Sequence, residues 1–109
     1  MALKANLVID QGSTYSVILD LTDENGDIFD LSGYSVNSQV RKWYTSSNAA
    51  ATFTSSINAA SGELLLSLSS EQTGNLVAGR YVYDVEIEIS GMVSRIVEGI
   101  VTVTPQVTR

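Results

Sequence analysis

Arg80-Tyr81-Val82-Tyr83-Asp84-Val85-Glu86-Ile87-Glu88-Ile89, then Ser90-Gly91, then Met92 to Thr104, is the stretch that decides the fold. Tyr81, Tyr83, Val85, Ile87 and Ile89 share one side of a period-two pattern, and Val82, Asp84, Glu86 and Glu88 share the other. Such alternation marks a strand with one face buried. Ser90-Gly91 reads as a two-residue hairpin turn. Met92–Thr104 reads as the returning strand, ended by Pro105, which has no N–H to give a ladder. With Ile89 opposite Met92, Glu86 falls opposite Arg95 and Val85 opposite Ile96, so one register yields both an ion pair and an apolar face. Met92, Ile96 and Ile100 then face as the tyrosines do. The second face carries Val82, Val93, Val97, Val101 and Val103 among the acids, which is more apolar than solvent requires. Either a neighbouring subunit or a loop of the same chain covers it.

Outward from this hairpin, short strands recur. Asn6–Ile9 is a first one. Thr14–Thr22 alternates, with Tyr15, Val17, Leu19 and Leu21 on one face. Asn25-Gly26 is a strong hairpin signal because both residues tolerate positive φ, and Ile28–Leu31 reads as the returning strand. Tyr34–Tyr44 reads as a long strand with Tyr34, Val36 and Val40 on one face and Trp43 on the other. Thr52–Ile57 and Glu63–Ser69 follow, the latter centred on Leu64, Leu66 and Leu68. One short helical turn is expected near Ser70–Asn75, with Ser70 as its cap and Glu71 in its first turn. Seven or eight strands punctuated by turns every ~8–12 residues predict an all-β sandwich rather than a βαβ fold. No linker divides residues 1–109, so a single domain is expected.

Composition narrows the chemistry. The 109 residues are 44% hydrophobic and 17% charged, with a net charge of −6 and neither Cys nor His. Without Cys there are no disulfides or thiolates. Without His, the usual general base, the usual activator of a nucleophile and a common zinc ligand are missing together. The six basic residues, Lys4, Arg41, Lys42, Arg80, Arg95 and Arg109, are scattered, which argues against nucleic-acid binding. No run reaches the ~18 apolar residues of a membrane helix, and the N-terminal apolar stretch is too short for a signal peptide. A cytosolically made, non-enzymatic protein without cofactor or metal is the expectation.

Three motifs carry alternative chemistry. Asp23, Asn25 and Asp27 have the 1-3-5 spacing of a calcium loop, but Ile28 and Tyr34 stand where that loop needs Gly and Glu. A solvated turn is the simpler reading. Asp84, Glu86 and Glu88 form an acidic row; paired carboxylates serve glycosidases, but these lie along one strand face with no second wall in view. Trp43, Tyr44 and Tyr34, beside Arg41 and Lys42, have the makings of a sugar-stacking platform, whereas a Trp on a sandwich strand is more often core.

Several runs taken together resemble a known family. They are Asp30-Leu31-Ser32-Gly33-Tyr34, leading to Arg41-Lys42; Leu68-Ser69-Ser70-Glu71-Gln72-Thr73; Ala78-Gly79-Arg80-Tyr81-Val82-Tyr83-Asp84-Val85-Glu86; and Arg95 to Arg109, with its Glu98-Gly99 and Pro105. As a set they resemble the small Ig-like structural proteins of tailed bacteriophages, especially of cyanophage type, and are similar to the N-terminal domain of some baseplate upper proteins. The resemblance implies an Ig-like antiparallel β-sandwich and a multi-copy virion component, assembled in the host cytoplasm and held by contacts with other virion subunits. It carries over no catalytic residue. No receptor-binding module like that of the larger baseplate proteins is expected after Arg109, so capsid decoration and a tail, neck or baseplate adaptor are the roles the resemblance leaves open. On this reading the contact residues expected are Val82, Val97, Val101 and Val103, with Trp43 and Tyr44. A glycan partner is the alternative.

Overall fold

The computed structural model describes residues 3–22 and 25–107. The strands are β1 (Leu3–Lys4), β2 (Leu7–Asp10), β3 (Tyr15–Asp20), β4 (Ser35–Arg41), β5 (Ala51–Thr52), β6 (Thr54–Asn58), β7 (Glu63–Leu68), β8 (Gly79–Ile89) and β9 (Met92–Thr104). A 3₁₀ turn (Ala59–Ser61) precedes β7, and one short helix, α1 (Ser70–Gly74), joins β7 to β8. The larger sheet runs β9-β8-β4-β5, with β1 and β2 end to end along the free side of β9; the smaller runs β3-β7-β6. The expected all-β sandwich is therefore present, with nine strands among the described residues rather than the seven or eight expected.

Alternation fixes which faces meet. Leu64, Leu66 and Leu68 of β7 are buried and face Tyr83, Val85, Ile87 and Val40 of the larger sheet across one core. Tyr15, Phe53 and Tyr83 form an aromatic line through it, with ring centroids 6.4 and 6.2 Å apart. Phe53 is the hinge of a strand that changes sheets: its N–H bonds the Ser38 carbonyl of the larger sheet, and Thr54 then joins β7 in the smaller one. The single strand expected over Thr52–Ile57 is thus two. The buried Ser38 hydroxyl is satisfied by the Asp84 carbonyl at 2.7 Å.

The Ser90-Gly91 turn forms as expected, with φ of 51° and 82°, the doubly positive geometry that suits the twist of a two-residue hairpin. Register holds from Ile89↔Met92 to Glu86↔Arg95, then shifts: Val85 lies opposite Val97, and Ile96 is the extra residue of a β-bulge. Beyond it the faces of β9 exchange. Val97, Val101 and Val103, expected outside, are 2%, 0% and 2% exposed in the core, and Ile100, expected with the tyrosines, is 41% exposed outside. A single inserted residue inverts every later side chain because the strand period is two.

β1 and β2 run parallel to β9, pairing Leu3 with Val97 and Leu7 with Val101, so the sandwich is not wholly antiparallel. Between them Ala5 and Asn6 step over Gly99. A Cβ on Gly99 would lie 2.0 Å from the Ala5 carbonyl oxygen, so only glycine lets the chain pass. Tyr83, whose backbone is opposite Gly99, donates its hydroxyl to that same carbonyl at 2.6 Å.

Other expectations need smaller corrections. Ile28–Leu31 is not a strand; Thr22↔Ile28 is a lone bridge, and an Asp30 turn closed by the Ser32 N–H lets Leu31 bury. Asp23 and Glu24 lie outside the described residues, as do Thr108 and Arg109. The cap of α1 is Ser69, not Ser70. Ser69 and Gln72 have the spacing of a capping box and bond each other's backbone N–H groups at 3.1 and 2.9 Å, which Ser70 with Thr73 cannot do. At the start of β8 the Tyr81 hydroxyl bonds back to the Val77 carbonyl at 2.6 Å, the tyrosine corner of Ig-like sandwiches.

Candidate functional site

The outer face of the larger sheet follows from the bulge and the register. β8 contributes Arg80, Val82, Asp84, Glu86 and Glu88; β9 contributes Glu98, Ile100 and Thr102 after the bulge and Arg95 before it. In an unbroken strand Arg95 and Glu98 would point to opposite faces. The bulge brings them together, and Arg95 bonds Glu98 at 3.2 Å while its Nε lies 3.3 Å from Asp84. Lys4, paired in backbone register with Glu98, also bonds it. Hydrogen bonding from Lys4, then from Arg95, holds the Glu98 carboxyl below the usual carboxylate range. The expected Glu86–Arg95 pair is opposite in register, but the guanidinium reaches Asp84 and Glu98 instead.

Beside this charged strip runs an apolar band. Ile100 lies opposite Val82, and Val8 lies opposite Thr102, the next outward residue of β9. Val8 is 62% exposed, Ile100 41%, and Val82 is half-buried. At the β4 end Tyr44 closes the band, lining with Val82, Gln39, Arg41, Asp84 and Arg95 an open groove of about 350 Å³. Among the described residues this is the only part of the larger sheet where exposed apolar side chains cross several strands.

The six residues expected to make contacts therefore separate. Val97, Val101 and Val103 are core. Val82 lies on the outer face within the band, and Trp43 and Tyr44, 66% and 74% exposed, stand on the turn after β4 rather than on the strand. Trp43 is not the core residue that a sandwich tryptophan usually is. Sequence reasoning missed Val8 and Ile100. The repeat Val101-Thr102-Val103-Thr104, whose phase conflicts with that of Arg95, was the available signal.

The aromatic platform is not assembled. Tyr34 sits at the far end of β4, edge-on to Phe29 at 5.7 Å. The two basic residues beside Trp43 serve the fold. Arg41 bonds the Ser46 carbonyl and the Gln39 amide oxygen, each at 2.8 Å, which pins the turn carrying Trp43 and Tyr44. Lys42 bonds the Arg80 carbonyl at 3.0 Å and lies over the Tyr81 ring.

Asp84, Glu86 and Glu88 line one strand face as expected, with Asp84 tied to Arg95. Among the described residues no group of three or more metal-ligating side chains is gathered. Among the described residues no helix is long and apolar enough to cross a membrane. The chain matches no protein-family model and no curated protein.

Proposed function

We propose that this chain is a non-enzymatic structural protein of a tailed-phage particle, which binds neighbouring subunits through the outer face of its larger sheet. The observation that carries the reading is the Val8–Ile100–Val82 band, ended by Tyr44. It is apolar surface crossing three strands, next to charges that are already satisfied within the chain. Apolar side chains contiguous on one face mark protein–protein contact, and a large exposed aromatic such as Tyr44 is a common anchor. The resemblance of the Leu68–Thr73, Ala78–Glu86 and Arg95–Arg109 runs to phage Ig-like proteins supports the virion as the setting. The mechanism is assembly by burial of this band against a partner, with no bond made or broken.

The test is incorporation. Particles produced by a genome carrying the gene are purified and analysed by quantitative mass spectrometry. The chain is expected at a fixed copy number per particle. Ile100→Glu, which places a charge in the band without touching the core, is expected to fold and to be lost from particles. Particles lacking the wild-type chain, or incorporating Ile100→Glu normally, count against the proposal.

The groove beside Tyr44 supports a second reading, a glycan-binding module, since an exposed ring next to Asp84, Glu86, Gln39 and Arg95 offers one stacking face and several hydrogen-bonding groups. Binding on a glycan array, lost in Tyr44→Ala and Trp43→Ala, would favour it. An array with no signal would remove it.

A further inference from the structure

The ends of the two sheets are protected unequally. β5 is a two-residue edge, too short to template a foreign strand. β2 has four residues and ends on Asp10. β6 is tied toward β4 by the Ser55 hydroxyl on the Val36 carbonyl. β3 is longer, and its one charge, Asp20, stands at its last position. Its six residues Tyr15-Ser16-Val17-Ile18-Leu19-Asp20 pair with β7 without a register shift, and among the described residues no strand pairs its other side. It has no Lys, Arg, Pro or bulge, the features by which natural edges are blunted. On its outer face Ile18 is 59% exposed and lies opposite Leu65, 38% exposed, so an apolar pair leads to the open edge.

We infer that β3 is the seam of a homodimer, in which β3 of a second copy adds antiparallel across a two-fold axis normal to the sheet and makes one continuous six-stranded sheet. The occupant follows from self-complementarity. A two-fold axis normal to the sheet keeps inner faces together, so only same-face residues can stand opposite each other. Centred on Ile18, the pairing sets Ile18 against Ile18 and Val17 against Leu19, and sets the Ser16 hydroxyl against the Asp20 carboxylate, which accepts its hydrogen bond. No like charges meet along the seam, although the whole chain carries −6. The two Ile18 side chains and the two Leu65 side chains then form one apolar cluster on the outer face. Such an isologous seam pairs the backbone groups that β3 leaves open. This inference is independent of the virion proposal, because it uses the opposite sheet and needs no other protein.

The experiment is sedimentation equilibrium of the purified chain over a range of concentrations, with circular dichroism as the check on folding. The wild type is expected to show a reversible monomer–dimer equilibrium. Ile18→Lys, which sets two ammonium groups directly opposite at the two-fold axis, is expected to weaken it roughly tenfold or more, and Ile18→Val to retain it. Backbone amides of β3 are expected to gain hydrogen-exchange protection as concentration rises. A monomer throughout, a dimer unaffected by Ile18→Lys, a dimer abolished by Ile100→Glu instead, or β3 protection that appears only with another particle protein would each overturn the inference.

Discussion

Gly99→Ala tests the packing of the first two strands on the last. An ordinary strand glycine replaced by alanine gains stability, about 0.4–1 kcal/mol, because the unfolded chain loses freedom. Gly99 does not have a left-handed φ, so backbone strain does not oppose the change. Contact does: the new methyl carbon would sit 2.0 Å from the Ala5 oxygen and 2.8 Å from its carbonyl carbon, both backbone atoms. Relief to a tolerable 3.0 Å needs a displacement of about 1 Å. Three hydrogen bonds meet at this step: Ala5 N–H to the Glu98 carbonyl at 2.9 Å, Ile100 N–H to the Asn6 side chain at 3.0 Å, and the Tyr83 hydroxyl to the Ala5 carbonyl at 2.6 Å. At about 1 kcal/mol each, with more for a buried hydroxyl left unpaired, the expected net loss is about 2–4 kcal/mol. Urea unfolding followed by circular dichroism would read this as a midpoint lowered by about 2 M, for a slope near 1–1.5 kcal/mol per M. Hydrogen exchange of the Leu7–Asp10 amides should accelerate more than that of β7. A Gly99→Ala variant as stable as the parent, or more so, would refute the reasoning.

The exchange of faces at the bulge predicts that two neighbouring substitutions behave oppositely. Val97→Glu buries an unpaired carboxylate and should leave the chain largely unfolded by circular dichroism, whereas Ile100→Glu should change stability by less than ~1 kcal/mol in the same urea titration. Burial pushes the Tyr83 phenol up to about 12, with a smaller push from Tyr15. The unfolded chain therefore ionises first as pH rises past about 10, and stability should fall between pH 10 and 12 by up to ~2–3 kcal/mol. Tyr83→Phe should flatten that fall only in part, because burial also raises Tyr15 and Tyr81. The Glu98 carboxyl, lowered by Lys4 and then Arg95, contributes stability at neutral pH that is lost as pH falls through its depressed value. Lys4→Gln should move its NMR titration midpoint upward, and an unmoved midpoint would exclude the Lys4 contact.

What the sequence disclosed and what it hid have separate physical causes. Alternation in β3, β7 and β8 is unambiguous because polar residues mark one face, and a turn that tolerates positive φ fixes the hairpin register near Ser90-Gly91. β9 is apolar in both phases, with Ile96 and Ile100 in one and Val97, Val101 and Val103 in the other, so composition alone does not choose between them. Glu98, Thr102 and Thr104 do choose, and their disagreement with Arg95 is the trace of the bulge. The parallel pairing of β2 with β9 joins residues about ninety positions apart and has no local signature. The Trp43-Tyr44 turn reads as strand in the sequence because the run to Tyr44 holds no Gly or Pro, and the Arg41 side-chain bonds to Ser46 and Gln39 that pin the turn, though local in the chain, leave no periodic signal. Of the candidate surface, Val82, Trp43 and Tyr44 were legible, whereas Val8 and Ile100 required the bulge.

The most direct measurement is a cryo-electron microscopy map of the purified particle encoded with this gene. Density for the sandwich is expected at symmetric positions, with the Val8–Ile100–Val82 face covered by a neighbouring subunit. A particle without this density, or one in which that face is bare to solvent, would contradict it.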